Sequence, residues 1–597
     1  MNVEKTSIDE IRKTVEYLCD LGQKVAGTEP EVQAANYLHE RLREFGFTHV
    51  EMQSFDVHGW YPLSSSVRIT QPIQKEIESA LFPHCKSEEV EGRLVAFKKD
   101  ADPTLSRKGL IAYSEWGPDP YLSPRRTYYH AVRQGYDGLI VAAPDKGDFL
   151  KVVVLAIGGL LEIPVVCITK EEGDSLSSLI ESEEVSVNIK TEIETSDQSQ
   201  SYNVMATLEG DGTAEHEVIV GAHYDSWFQG AGDNCAPAAT VLELARLFGR
   251  QAQAGRPPRR TIRFLFYGAE ESGTNDFYFW LNGSKAFVKS NPEIVARTAA
   301  VLSLDSTGYT SPAKDYIYAT ADVFEFAKSI QVELEPTLEF QYLDPPSYGS
   351  DHWFFELSGI PTIYGVAFPS PLYHTQKDDP DHLDFHAVHY YAEYMKEALS
   401  YLSEVELLPI DIFLPLKRFE QIFKKYQKLD ENPFDFSPIL AKLRVLMKQE
   451  SSTRRLLKAA SKSSNPDTIS ELNQFLLRTA NKYNQTIGWI TRPHETYASN
   501  YLCRLEMIED IIHLTNSVKN LRNIPISNFM SERAALYDSQ SDNAYNWIRI
   551  HEPLARIEEE CTRIRREIEE ELKMLSSMID SISEDIAGLT EEQVSSH

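Results

Sequence analysis

An α/β architecture is predicted, with a mostly parallel mixed sheet, a β-rich insertion ahead of it and an all-helical C-terminal region. Three observations predict it. From Tyr202 to about residue 405, apolar strand patterns alternate with helical ones, which places helices on both faces of a sheet. Between about 55 and 195, short apolar runs are punctuated by turn-forming residues. After Leu408, strand patterns stop and helical spacing takes over. A chain of 597 residues also exceeds what one hydrophobic core supports, so several domains are expected.

The elements follow in order. Ser7 and Glu10 form a capping box, Ile8, Ile11, Val15 and Leu18 give a helical face, and Gly22 ends it. A second helix is predicted over about 31–45, with Ala34, Tyr37, Leu38 and Leu42 on one face and Gly46 as the stop. Short β runs come next, at 67–70, 94–97, 110–113, 139–142, 165–168 and 185–189. The polar stretch 194–201 reads as a domain boundary. Strands are expected at 218–221, 262–267, 299–304 and 362–366, with a helix over 237–248. The last apolar series includes Leu554, Ile557, Cys561, Ile564, Ile568, Leu572, Leu575, Ile579, Ile582, Ile586 and Leu589. Its alternating spacings of three and four make a seam for another helix, either within its own domain or across a subunit interface. The division is 1–54, 55–195, 196–406 and 407–597.

Composition narrows the function classes. With 42% hydrophobic and 25% charged residues, wholesale disorder is excluded. A net charge of -31 disfavours nucleic acid and anionic membrane as partners. Cys19, Cys85, Cys167, Cys235, Cys503 and Cys561 are scattered without a CxxC pair, which suits buried thiols in a reducing compartment. The N-terminal residues lack a signal-peptide pattern, and the most apolar segment, 152–168, is too interrupted to span a bilayer. A cytoplasmic location with no membrane contact is expected.

Chemistry concentrates at the expected strand ends. His223 follows one strand, with Asp225 two residues on to orient an imidazole. Asp233 follows two glycines ahead of a helix, where it could cap that helix or bridge two metals. Glu270 and Glu271 are adjacent at the end of an apolar run; two such carboxylates repel unless a cation lies nearby. Asp305 ends another strand, and His374 sits in a loop of Pro and Asp residues. Ligands collect at the carboxyl ends of strands in open α/β sheets, so these segments read as one polynuclear metal site.

The set GAHYDS, GAGDN, FLFYGAEESG, SLDSTG, YGSDHWFF and YHTQKDD resembles the M28 family of dinuclear zinc exopeptidases, over about 1–50 and 200–405. The fold implied is a three-layer zinc-exopeptidase domain. By that resemblance His223, Asp233 and Asp305 would hold one zinc, and Asp233, Glu271 and His374 the other. Glu270 would be the general base; Asp225, orienting His223 or a neighbouring ligand, is the other residue expected in a catalytic role. Two Zn2+ ions per subunit are implied, with Co2+ or Mn2+ as substitutes. The family's usual DNxSG appears here as 233–237 with Cys235, Ala236 and Pro237, which replaces no ligand.

Residues 55–195 look like a protease-associated (PA) domain, and the helical C-terminus is similar to the dimerisation domain of the glutamate carboxypeptidase II and transferrin-receptor group. The layout implies a homodimer. Tyr348 and His352 are expected on a substrate-facing loop, with Asp378 supporting the pocket. The activity implied is hydrolysis of terminal peptide bonds by a hydroxide on the two zincs, by an aminopeptidase in preference to a carboxypeptidase. A non-peptide amidohydrolase and a non-enzymatic receptor-like homologue are the remaining alternatives.

Overall fold

The computed structural model describes residues 3–98, 107–117, 122–155, 159–273, 280–310, 313–344, 346, 349–428, 434–461, 465–491 and, in part, 566–587. Four parallel strands form its centre, ordered Thr362–Ala367, Thr298–Asp305, Glu217–His223 and Ile262–Tyr267. All are buried along almost their whole length, which is why they read as continuous apolar runs rather than alternating ones. Asp315–Ala319 extends one side antiparallel, and Val185–Leu208 closes the other.

Three layers result. Helices Ile8–Asp20, Glu29–Glu44, Ala236–Gln253 and Phe385–Glu404 cover one face, where Val218, Val220, Phe264, Phe266, Leu302 and Leu304 point. Helices Asn282–Ser290 and His352–Leu357 cover the other, over Ile219, Leu265, Tyr267 and Val301. The alternation of these side chains between two clusters is the period-two geometry of a strand buried on both sides. Ser7 caps the first helix through Glu10 N.

Buried Lys24 fastens that helix to the sheet end. Its ammonium donates to Leu18 O at 3.3 Å, Gly22 O at 3.0 Å and Gln229 O at 3.0 Å, using all three donors. The first two carbonyls lie at the negative end of the helix.

The polar stretch 194–201 is strand, not linker. It lies inside the 24-residue strand Val185–Leu208, which pairs antiparallel with the 23-residue strand His49–Gln71. Pairing along the ribbon satisfies backbone groups on the two facing edges, and its solvent-facing side chains can be polar. The ribbon leads to a second layer built on Glu88–Ala96, Leu110–Glu115, Gly138–Ala142 and Val165–Ile168, all four in parallel. A separate core forms there around Trp60, Tyr113, Ile140 and Val166.

Helices Leu414–Gln427, Ser437–Met447, Glu450–Ala460 and Pro466–Thr491 follow the sheet. Of the C-terminal apolar series, Ile579, Ile582 and Ile586 are buried in the main core of their own chain. The series before Leu572, together with Leu575, Leu589, Cys503 and Cys561, lies outside the described residues. The other four cysteines are buried free thiols. No helix among the described residues is long and apolar enough to cross a membrane.

Lys24→Met keeps the apolar stem but leaves three carbonyls without their donor. We expect a loss of about 2–4 kcal/mol, read as a lowered denaturant midpoint at constant slope.

Candidate metal centre

Three successive backbone N–H groups fix the glutamate pair. Ala269 N donates to Glu31 Oε1 at 3.0 Å, Glu270 N to Asp225 Oδ1 at 2.9 Å and Glu271 N to Asp225 Oδ2 at 3.0 Å. Both carboxylates are fully buried. Glu31 also accepts from Gly27 N and Ser201 Oγ, each at 2.6 Å. Ala269 takes a positive φ of 51°, which turns the chain off the strand and sends the next two side chains in different directions.

The side chains then diverge. Glu270 Oε2 lies 4.0 Å from His223 Nε2, while Glu271 Oε1 lies 3.0 Å from His374 Nε2. Asp233 stands between the imidazoles, with Oδ1 3.4 Å from His223 Nε2 and Oδ2 3.1 Å from His374 Nε2. Asp305 Oδ1 is 3.5 Å from His223 Nε2. Two groups of potential donor atoms emerge: His223, Glu270 and Asp305, and Asp233, Glu271 and His374.

Neighbouring residues orient these groups. His223 Nδ1 is 3.1 Å from Asp225 O and 3.4 Å from Asp225 Oδ1. Asp378 accepts from Gly232 N at 2.6 Å, Asp233 N at 3.1 Å and the Tyr309 hydroxyl at 3.0 Å, so it holds the loop carrying Asp233. A Cβ on Gly232 would meet the Tyr309 ring at 2.6 Å, which is why the loop is glycine there. Trp227 donates its indole N–H to Glu271 Oε2 at 2.8 Å. The inserted layer reaches the site too: Val152 N donates to His374 O at 3.0 Å, and the Lys151 ammonium to Tyr373 O at 2.7 Å.

The predicted residues fall into two sets. His223, Asp225, Asp233, Glu270, Glu271, Asp305 and His374 come together here, and Asp378 supports them. His352 is instead the fully buried first residue of helix His352–Leu357, its ring stacked on Tyr364 at 4.3 Å, and not a loop residue. The apolar partners Trp353 and Phe355 pull this segment inward. Tyr348 lies outside the described residues. Sequence reasoning missed Glu31, Trp227, Lys151 and Tyr309. An acidic residue at a helix start is no signal by itself, and no spacing rule connects any of the four to the site.

Electrostatics fit a cation-binding pocket. Burial pushes Glu270 well above the usual carboxylate range, against the pull of His223. Burial likewise raises Glu271, Asp351 and Asp378 to about 7 each. Burial opposes charge on His374, but Glu271 and Asp233 outweigh it and raise the imidazole to about 9. Burial also opposes charge on Asp233, yet the two imidazoles hold it well below the usual range.

The donor set suits zinc. Bonds of 2.0–2.2 Å in a tetrahedron separate neighbouring ligand atoms by roughly 3.4 Å. The observed separations of 3.0–3.5 Å between imidazole nitrogens and carboxylate oxygens bracket that edge. Asp233 Oδ2 accepts no hydrogen bond, as expected of an oxygen reserved for a metal.

Two expectations follow from this geometry. Asp225→Asn retains one acceptor for two N–H groups; zinc affinity, measured by chelator competition, should fall about 10–100-fold. The second concerns pH. Glu271, Asp351 and Asp378 keep their protons to higher pH when folded than when unfolded, and so does His374. The folded, metal-free chain therefore binds more protons across pH 5–9, and its stability falls as pH rises through that window. Zinc held by Glu271 and His374 would displace their protons, so the zinc-induced rise in melting temperature should grow from pH 5.5 to 8.5.

Comparison with known proteins finds likenesses in both sequence and fold. Residues 203–399 match Peptidase family M28. The "Probable glutamate carboxypeptidase AMP1" of Arabidopsis thaliana is 25% identical over 292 residues, 44% of this chain and 40% of that protein. The "probable leucine aminopeptidase 2" of Aspergillus oryzae is 25% identical over 265 residues, 42% of this chain and 49% of its own length. This chain thus spans less than half the length of either relative. Among solved structures, the zinc aminopeptidase BSAP from Bacillus subtilis shares the fold, with a TM-score of 0.55 and 20% identity, covering 68% of this chain and 96% of that one.

Proposed function

We propose that this chain, whose residues 203–399 are a peptidase family M28 domain, is a zinc-dependent exopeptidase that removes N-terminal residues from peptides. The observation that carries the reading is Asp233, each of whose oxygens faces a different imidazole. A carboxylate placed so could be shared by two ions, one on each oxygen. His223, Asp233 and Asp305 would hold one zinc; Asp233, Glu271 and His374 would hold the other. Co2+ or Mn2+ would substitute in the same donors.

Two zinc ions in these positions supply Lewis acidity, lowering the pKa of water and polarising a carbonyl. The protein supplies the proton traffic. Glu270 is the carboxylate farthest from an imidazole, at 4.0 Å, and its elevated proton affinity suits a group that takes a proton from water and returns it to the leaving amine. Asp225 and Glu31 keep it in place by gripping its backbone and its neighbours'. Asp233, held by Asp378, keeps the two donor groups in register.

Charge favours an amine over a carboxylate as the recognised terminus. The cations acting most strongly on Glu270, Glu271 and Asp351 are the two imidazoles themselves. An acidic lining suits an α-ammonium, whereas a terminal carboxylate calls for a guanidinium or ammonium clamp. Residues 55–195 are proposed as a PA-like module, and 407–597 as the region through which two copies pair. The four free thiols fit a cytoplasmic setting.

Glu270→Gln should lower kcat on a dipeptide amide about 10²–10⁴-fold while two zinc ions per chain remain by elemental analysis. Unchanged turnover would end the assignment of Glu270. N-acetylated peptides should resist hydrolysis and C-amidated ones should not; the reverse pattern would make the enzyme a carboxypeptidase.

A further inference from the structure

The end of the sheet opposite the metal ligands holds a second group of buried oxygens. Thr362 begins the strand Thr362–Ala367, and Asp322 follows Asp315–Ala319, which runs antiparallel to it. Both therefore lie at the end where the parallel strands start. Glu356 reaches this end from the last turn of helix His352–Leu357, and Asn484 comes from helix Pro466–Thr491.

Direct contacts knit these residues together. Asn484 Nδ2 donates to Asp322 Oδ2 at 3.1 Å and to Gly359 O at 3.4 Å, while Gly359 N donates to Glu356 O at 2.8 Å. Thr362 N donates to the Thr320 hydroxyl at 3.1 Å, and Thr320 N to Thr362 O at 3.0 Å. Yet one oxygen on each of four side chains accepts nothing: Asp322 Oδ1, Glu356 Oε2, Thr362 Oγ1 and Asn484 Oδ1. None of these residues is more than 1% exposed.

Unpaired oxygens in a dry interior are costly, and two carboxylates among them repel each other. A hard cation removes both penalties. Two carboxylates balance a divalent charge, and carboxylate, amide and hydroxyl oxygens are calcium-type donors. The group contains no imidazole or thiolate, which separates it in kind from the zinc-type donors at the other end of the sheet.

We propose that Asp322, Glu356, Thr362 and Asn484 form a calcium-class cation site that fastens helix Pro466–Thr491 to the far end of the sheet. The ion is structural and shares no residue with the hydrolytic centre, so the site stands whether or not the peptidase reading does. Asp322 O also accepts from Asp411 N at 2.7 Å, which ties the chain leading into the helical region to the same point.

The test uses the full zinc-loaded chain. Equilibrium dialysis against radioactive calcium should give one ion per chain. Calcium at a hundredfold excess over its dissociation constant should raise the melting temperature by about 2 °C. Both effects should vanish in Asp322→Asn and in Glu356→Gln, with zinc content unchanged. Glu356→Gln preserves size and serves if Asp322→Asn does not fold. Absence of bound calcium, or equal binding by both variants, would overturn the proposal. So would a Glu356→Gln chain that melts higher in calcium-free buffer than wild type does in calcium, because Glu356 would then be carrying a proton in place of a cation.

Discussion

Two buried carboxylates gripping three consecutive backbone N–H groups are the constraint from which the catalytic geometry follows. Glu31 and Asp225 spend their oxygens on the main chain of 269–271. The peptide turn they hold satisfies its own carbonyls as well, through Leu281 N to Glu270 O and Asn282 N to Ala269 O. With the backbone fully committed, the carboxylates of Glu270 and Glu271 remain available for chemistry. Adjacent residues thereby take separate roles, one among the donors around His374 and one 4.0 Å from His223.

The central sheet was legible because buried parallel strands leave long apolar runs, and three of the four lead at or just past their ends to a residue of the site. Glu270, Asp305 and His223 could be placed from that pattern alone. Glu31 could not, because an acidic residue in a first helical turn is ordinary, and only tertiary packing carries it beneath the glutamate pair. The long ribbon was likewise hidden. Stretch 194–201 has linker composition, but most of it pairs with the strand His49–Gln71. His352 reads from its motif as a loop residue, whereas it begins a helix whose apolar neighbours draw it into the core.

The inserted layer is part of the site rather than an ornament on it. Leu150 N donates to Gln376 Oε1 at 3.1 Å and Gln376 N to Leu150 O at 3.2 Å, flanking the contact of Val152 with His374. His374 has a positive φ of 58°, an uncommon conformation that persists where surroundings impose it. Segment 150–152 is among those surroundings. Lys151 adds its ammonium beneath the same loop, although burial lowers its proton affinity to about 8.

The reach of these contacts along the chain sets the order in which the molecule can mature. Glu31 meets Ala269 across 238 positions, and Leu150 meets Gln376 across 226. Loop closures of that size are slow compared with local helix formation. During synthesis the N-terminal helices and the inserted layer can form early, but they must wait for residues beyond 376 to leave the ribosome. Assembly of the two donor groups is therefore a late event in the life of each new chain, because His374 is made long after Glu31.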